Sequence, residues 1–241
     1  MNRRRALLAS ASGGGGGIDI NNYLTIVALV DGLTASLSTN ACEYCVDGDG
    51  DWKTLAAATN TEAINTGQTL SFRGNLTPDE FNGIGTFVIS KNCNLEGNCM
   101  SMLFGDDASS NTSLSGKEYA FSSLFSSCST IKSVSSGFLP ATTLAKYCYD
   151  SMFFGCTSLT QAPTLPATTL TSNCYKCMFY RCSNLNYIKA MFTTTPSSSY
   201  TYKWVDGVAS IGKFIKNGKA IWNVTGVNGI PSGWSIQSAA Q

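Results

Sequence analysis

Two consecutive stretches decide how this chain is read: LPATTLAKYCYDSMFFGCTSLTQAPT (139–164) and LPATTLTSNCYKCMFYRCSNLNYIKA (165–190), identical at 12 of 26 positions. Self-similarity at a period of about 20 to 50 residues marks an array in which each unit is too thin to bury its own apolar face and buries it against the next. Working upstream, Met152–Phe153 and Met178–Phe179 correspond to Leu124–Phe125 and then to Leu103–Phe104. The cysteine after that pair recurs as Cys128, Cys156 and Cys182, and the apolar residue three positions later as Ile131, Leu159 and Leu185. The cysteine before it recurs as Cys99, Cys148 and Cys174, with Ala120 in the remaining copy. About four units, two regular and two eroded, are therefore expected between residues 93 and 190.

The frame Cys-Tyr-x-x-Met-Phe-x-x-Cys-x-x-Leu followed by Ala-Pro-x-Leu-Pro resembles the BspA-like leucine-rich repeat. Met152, Phe153, Cys156, Leu159, Ala162 and Pro166 occupy the matching places, as do Met178, Phe179, Cys182, Leu185 and Ile188. Lys189 and Ala190 stand where the Pro-x-Leu-Pro run would follow, which places the end of the regular array there. The resemblance covers about 100 residues. It implies a mixed α/β-type solenoid, a short leucine-rich repeat array, of the kind found in surface and prophage-encoded proteins of gut anaerobes. It also implies an adhesive or recognition role and brings no catalytic residues.

Residues 18–92 read as a small all-β, sandwich-like domain. Tyr23–Val30, Leu33–Ser38, Cys42–Val46, Asp51–Leu55, Thr69–Arg73 and Ile84–Ser90 are short apolar or β-branched runs separated by Gly, Asn and Asp. Asp47-Gly48-Asp49-Gly50 predicts a hairpin turn. The same stretch imitates the start of a calcium loop, but Trp52 and Ala58 stand where such a loop needs glycine and glutamate. After the array, 191–241 carries three of the four tryptophans and is expected to cover the last unit as an aromatic cap.

Residues 1–17, with Arg3, Arg4 and Arg5 followed by a short apolar run and Gly13 to Gly17, are expected to form a flexible basic arm that plugs into a larger assembly. The other reading of this stretch is a minimal export signal. Net charge is +1 and charged residues make up 13%, which leaves no electrostatic footprint for nucleic acid. No segment reaches the roughly 20 apolar residues of a membrane span.

The chain contains no histidine, which removes Ser-His-Asp and Cys-His catalysis and the commonest metal ligand. No enzyme, cofactor or metal site is expected. Ten cysteines include two CxxC pairs, Cys42/Cys45 and Cys174/Cys177, with spacing suited to zinc or redox work. The favoured reading is reduced thiols packed in a ladder, with Cys148/Cys174 and Cys156/Cys182 as conceivable bridges.

The strand of each unit is the expected recognition surface. Side chains alternate across a strand, so Ser133 and Ser135, Gln161 and Pro163, and Tyr187 and Lys189 should face solvent beside inward Ala162 and Ile188. Trp234 is a candidate for stacking on a sugar ring. The expected function is a structural and recognition component of a phage virion, tail- or head-associated, with residues 1–17 mediating assembly. Its partner would be a protein or glycan receptor on a bacterial or host surface, and homo-oligomerisation would supply avidity. The alternative is a cell-surface or secreted bacterial adhesin.

Overall fold

The computed structural model describes residues 17–80 and 82–239. The arm expected at 1–17 thus lies outside the described residues, apart from Gly17. The described residues form eleven strands: β1 (Leu24–Ala28), β2 (Ala35–Leu37), β3 (Cys42–Val46), β4 (Lys53–Leu55), β5 (Thr69–Arg73), β6 (Phe87–Ile89), β7 (Cys93–Gly97), β8 (Ile131–Val134), β9 (Tyr187–Ala190), β10 (Lys213–Lys216) and β11 (Ser235–Ser238). Two four-residue helices, α1 (Ser101–Phe104) and α2 (Ser198–Thr201), are the only α-helices among the described residues. Each of the six stretches read as strands in 18–92 contains one.

The largest sheet runs β4-β3-β5-β1-β7-β8. β3 and β4 form the hairpin, whose turn residues Asp47 and Gly48 have φ 50° and 65°. Two consecutive positive φ values match the right-handed twist of the flanking strands. Asp47 spends its carboxylate on the Thr69 amide and the Gln68 side chain, both at 2.8 Å. β1 pairs antiparallel with β5 on one side and with β7 on the other, and β7 passes the sheet on to β8 in parallel. The sheet therefore runs straight across residue 92.

Beyond β8, residues 160–165 cross between β8 and β9 and bond both neighbours. The Thr160 amide donates to Lys132, while those of Ala162 and Leu165 donate to Tyr187 and Lys189. β9, β10 and β11 then continue in parallel.

On the other side of each repeat unit the chain runs as consecutive turns. Left-handed φ values recur every fourth residue at Tyr119, Ser123 and Ser127, at Tyr147, Ser151 and Gly155, at Asn173, Cys177 and Arg181, and at Lys203 and Gly207. Even-numbered amides close each turn on the carbonyl three residues back, as in Asp150 to Tyr147 and Met152 to Tyr149. Odd-numbered amides point along the array and donate to the next unit: Tyr147 to Ser172, Tyr149 to Cys174, Ser151 to Lys176, Phe153 to Met178 and Gly155 to Tyr180. The same alternation holds at 119–127 and at 173–181.

Registered backbones put like side chains above one another. Phe87, Phe125, Phe153 and Phe179 form one column, with neighbouring centroids 5.5, 5.6 and 5.9 Å apart and planes within 13°. Phe121, Tyr149 and Tyr175 form a second, spaced at 5.8 and 5.9 Å. Each such ring contact contributes roughly 0.5–1.5 kcal/mol beyond area burial. Phe87 of β6 takes the first place in its column, so the Leu103–Phe104 pair aligned there from sequence belongs to α1 instead. Trp204 closes both columns at the far end, 6.2 Å from Tyr175 and from Phe179.

These observations correct the expected fold class. The described residues are mostly β-sheet and turn, with three sheets and two short α-helices, and do not form the expected mixed α/β-type solenoid, a short leucine-rich repeat array. The physical reason lies in the repeat itself: a left-handed residue at every fourth position cannot continue a right-handed helix. The separate sandwich-like domain is corrected too, because β7 and β8, from outside 18–92, complete the sheet that begins there.

Two outcomes follow for stability. Replacing Gly155 (φ 68°) by Val forces a β-branched residue into the left-handed region and should cost about 1–2 kcal/mol in chemical denaturation, whereas Ser151→Gly should cost nothing. Among the described residues the buried hydroxyls of Tyr149 and Tyr175 find no hydrogen-bond partner, so Tyr175→Phe should raise stability by about 1 kcal/mol, while Phe153→Ala should lower it by about 3–5 kcal/mol.

Candidate functional site

The left-handed residues of the turn stretches are all at least partly exposed, because each sits at the outer corner of a turn. They and their even-numbered neighbours build a face studded with rings and cations. At one end Tyr119 stacks on Tyr147 with centroids 4.8 Å apart and planes 8° from parallel. Lys146 and Lys176 place their ammonium groups 5.4 and 5.5 Å from the Tyr147 ring, and Lys176 also pairs with Asp150 at 3.2 Å. At the other end Phe154 lies 5.2 Å from Tyr180, over which Arg181 and Lys203 sit at 5.2 and 6.0 Å. Such contacts hold long side chains in place at roughly 0.5–1 kcal/mol each on an exposed surface.

A polar cleft of about 470 Å³ adjoins the Tyr119 end. Residues 77–80 form one wall, and Lys117, Glu118, Tyr119 and Lys146 line the rest. The Tyr119 hydroxyl is pushed above its ordinary pKa, first by loss of hydration and then by the nearby Glu80 carboxylate. Gly83 fixes this corner: a Cβ there would come within 2.7 Å of the Tyr119 carbonyl oxygen. Only glycine admits so close an approach.

The residues expected from sequence lie elsewhere. Gln161 bridges Tyr187, Tyr187 pairs with Lys213, and Ser133 pairs with Asn94, which places these residues on successive strands of the parallel ladder. Gln161 is exposed, and Ser133, Ser135, Tyr187 and Lys189 are half-buried. Pro163 is buried rather than solvent-facing, because residues 160–165 are held from both sides. Trp234 is only 6% exposed: its Nε1 donates to the Ala209 carbonyl at 2.7 Å, and its ring packs where a Gly212 Cβ would otherwise sit. That ring is a packing element and has no open face for a sugar. Sequence reasoning missed the turn face because Tyr147, Tyr180, Lys176 and Arg181 fall at positions that differ between the two units. That difference was the available signal, since between the two cysteines of each unit the identical positions, Tyr149/Tyr175, Met152/Met178 and Phe153/Phe179, are the buried ones.

The CxxC spacing brings no pair of thiols together. Cys42 and Cys45 lie three apart on β3 and so point to opposite faces. Cys174 is buried while Cys177 sits at an outer corner. All ten cysteines are free. Cys128, Cys156 and Cys182 donate their thiols to the carbonyls of Phe87, Phe125 and Phe153 at 3.0, 3.2 and 3.0 Å, one ladder step away. Among the described residues, no group of three or more His, Cys, Asp or Glu side chains gathers to hold a metal ion. Nor is any helix there long and apolar enough to cross a membrane.

Burial pushes the thiols of Cys128 and Cys182 up from 9.0 to about 12. Tyr149 and Tyr175 are likewise driven well above 10.0 by burial. These groups ionise first in the unfolded chain, so their contribution to stability is complete below about pH 9 and is lost as pH rises toward 12. Denaturant midpoints should be level between about pH 7 and 8 and fall clearly by about pH 11. A flat profile to that pH would show that the thiols are not held protonated in the fold.

No protein-family model matches the chain, and no curated protein or solved structure matches it either.

Proposed function

We propose that this protein is a non-enzymatic structural and recognition component of a phage virion, a tail- or head-associated appendage. Its turn face meets a protein or glycan receptor on a bacterial or host surface. The observation that carries the reading is the pair of aromatic and cationic clusters at Tyr119/Tyr147 and Phe154/Tyr180, built on a backbone whose alternate amides are tied to the next unit. Partly exposed tyrosine rings and an arginine, here Arg181, held in fixed positions are residue types that dominate binding energy at interfaces. Fixing them beforehand reduces the ordering cost of association.

Assembly into the particle is assigned to residues 1–17, where the basic start and glycine run suit a tether. Self-association belongs to the same reading. β11 (Ser-Ile-Gln-Ser) is an outer strand with neither charge nor proline, and such an edge is open to pairing with a second copy.

An antibody to this protein should label purified particles, with residues 1–17 intact by mass. Label confined to cells, with cleavage near Ala9 to Ala11, would replace the virion by a surface or secreted adhesin. In either setting Tyr180→Ala should weaken binding to receptor-bearing cells roughly tenfold, about 1.4 kcal/mol, with no change in melting temperature. Unchanged cell binding by Tyr180→Ala and by Tyr147→Ala would remove the turn face as the recognition surface.

A further inference from the structure

We propose that the cleft beside Tyr119 is a sugar subsite that takes a neutral hexose unit of a glycan; this rests on the recognition reading above and names the ligand class for one end of the turn face. Three features of the cleft lead there.

The first is its size and shape. At about 470 Å³ it is within the range of small-ligand sites and is partly open to solvent. The second is the ring at its wall. Tyr119 is braced by Tyr147 at 4.8 Å, and its backbone is fixed by its N–H, which donates to the Lys146 carbonyl, and by the close approach of Gly83. An aromatic ring carries negative charge on its face and attracts the polarised C–H groups on the flat side of a pyranose. Such a platform needs to be rigid to be useful, and this one is held by backbone rather than by rotamer preference alone.

The third feature is the polar lining. Asp79, Glu80 and Glu118 supply acceptors, and Lys117 and Lys146 supply donors, with Asp79 Oδ1 already accepting from the Asn82 amide at 2.7 Å. Neither sign dominates, so the wall suits a ligand whose hydroxyls both donate and accept. Carboxylates accept two hydroxyl donors at once, and hydrogen bonds to ionised groups are about twice as strong as neutral ones. A polyanion would call for an excess of lysine and arginine around the cleft, and an amine-rich ligand for an excess of carboxylates.

The test uses the full-length chain with three sets of probes: neutral hexose oligosaccharides (glucan, mannan and galactan fragments), hyaluronan fragments and chitosan fragments. Saturation-transfer difference NMR followed by calorimetry compares wild type with Glu80→Gln, Tyr119→Asn and the control Ile221→Ala. Asparagine is chosen because Asn173 occupies the equivalent corner and tolerates its left-handed backbone. The expected result is binding of a neutral oligosaccharide, weakened at least tenfold by Glu80→Gln and by Tyr119→Asn and unchanged by Ile221→Ala, a 95% exposed position that does not line the cleft. Binding of only hyaluronan or chitosan, no carbohydrate binding while receptor-bearing cells still bind, or neutral-sugar binding indifferent to both cleft variants would each overturn the subsite and leave the recognition reading standing. Cleft-dependent sugar binding by a protein that fails to bind cells would do the reverse.

Discussion

The hydrogen bonds between successive units are the constraint on which the rest of the repeat region depends. A backbone built from turns can satisfy only alternate amides internally, and the others must find acceptors or be buried unpaired at a cost of about 1–3 kcal/mol each. Here Tyr147, Tyr149, Ser151, Phe153 and Gly155 all donate to the unit that follows, as do their counterparts on either side. One unit in isolation would leave five amides open on one flank. Fixing the backbones in step then places the rings above one another, so the two aromatic columns are consequences of the ladder as much as causes of it.

The ends of the array are treated differently. At the start, Phe87 of β6 supplies the first ring of the longer column, and the sheet of the N-terminal strands supplies β7 for β8 to join. At the finish, Trp204 lies across both columns with its indole nitrogen bonded to the Gly229 carbonyl, while Trp222 stacks on Phe192 at 5.1 Å. Bulky tail residues thus cover apolar surface that a further unit would otherwise take.

Much of this was legible in the residues, and the misses have physical causes. The inward set, with Met152, Phe153, Cys156 and Leu159 recurring at a fixed distance, announced stacking and is fully buried. The six N-terminal runs each contain a strand because short β-branched segments between Gly, Asn and Asp have few other uses. What could not be read was the backbone between the cysteines. Of its left-handed positions, only Gly155, Gly207 and Asn173 hold residues that commonly adopt such angles, whereas Tyr147, Ser151, Cys177 and Arg181 give no such sign. Without that knowledge a resemblance suggested a mixed α/β-type solenoid, and the outward face went unnoticed. Trp234 was misplaced for a related reason: an aromatic residue next to Gly233 looks displayed in sequence, yet Gly212 on β10's flank leaves a hollow that the indole fills.

The alternation of amides also governs how this chain can change length. Inserting or deleting one residue between Tyr147 and Gly155 would reverse which amides face inward and which face the neighbouring unit, and every bond downstream in that stretch would be offered to the wrong side. Left-handed corners recur every fourth residue, so only a step of four restores both the corner and the parity. Growth by whole units is equally permitted, since it merely adds another layer. The turn side of the molecule is thus quantised, in fours across and in units along. The loops outside it, where 28 residues separate Phe125 from Phe153 but 26 separate Phe153 from Phe179, absorb the variation that the turns refuse.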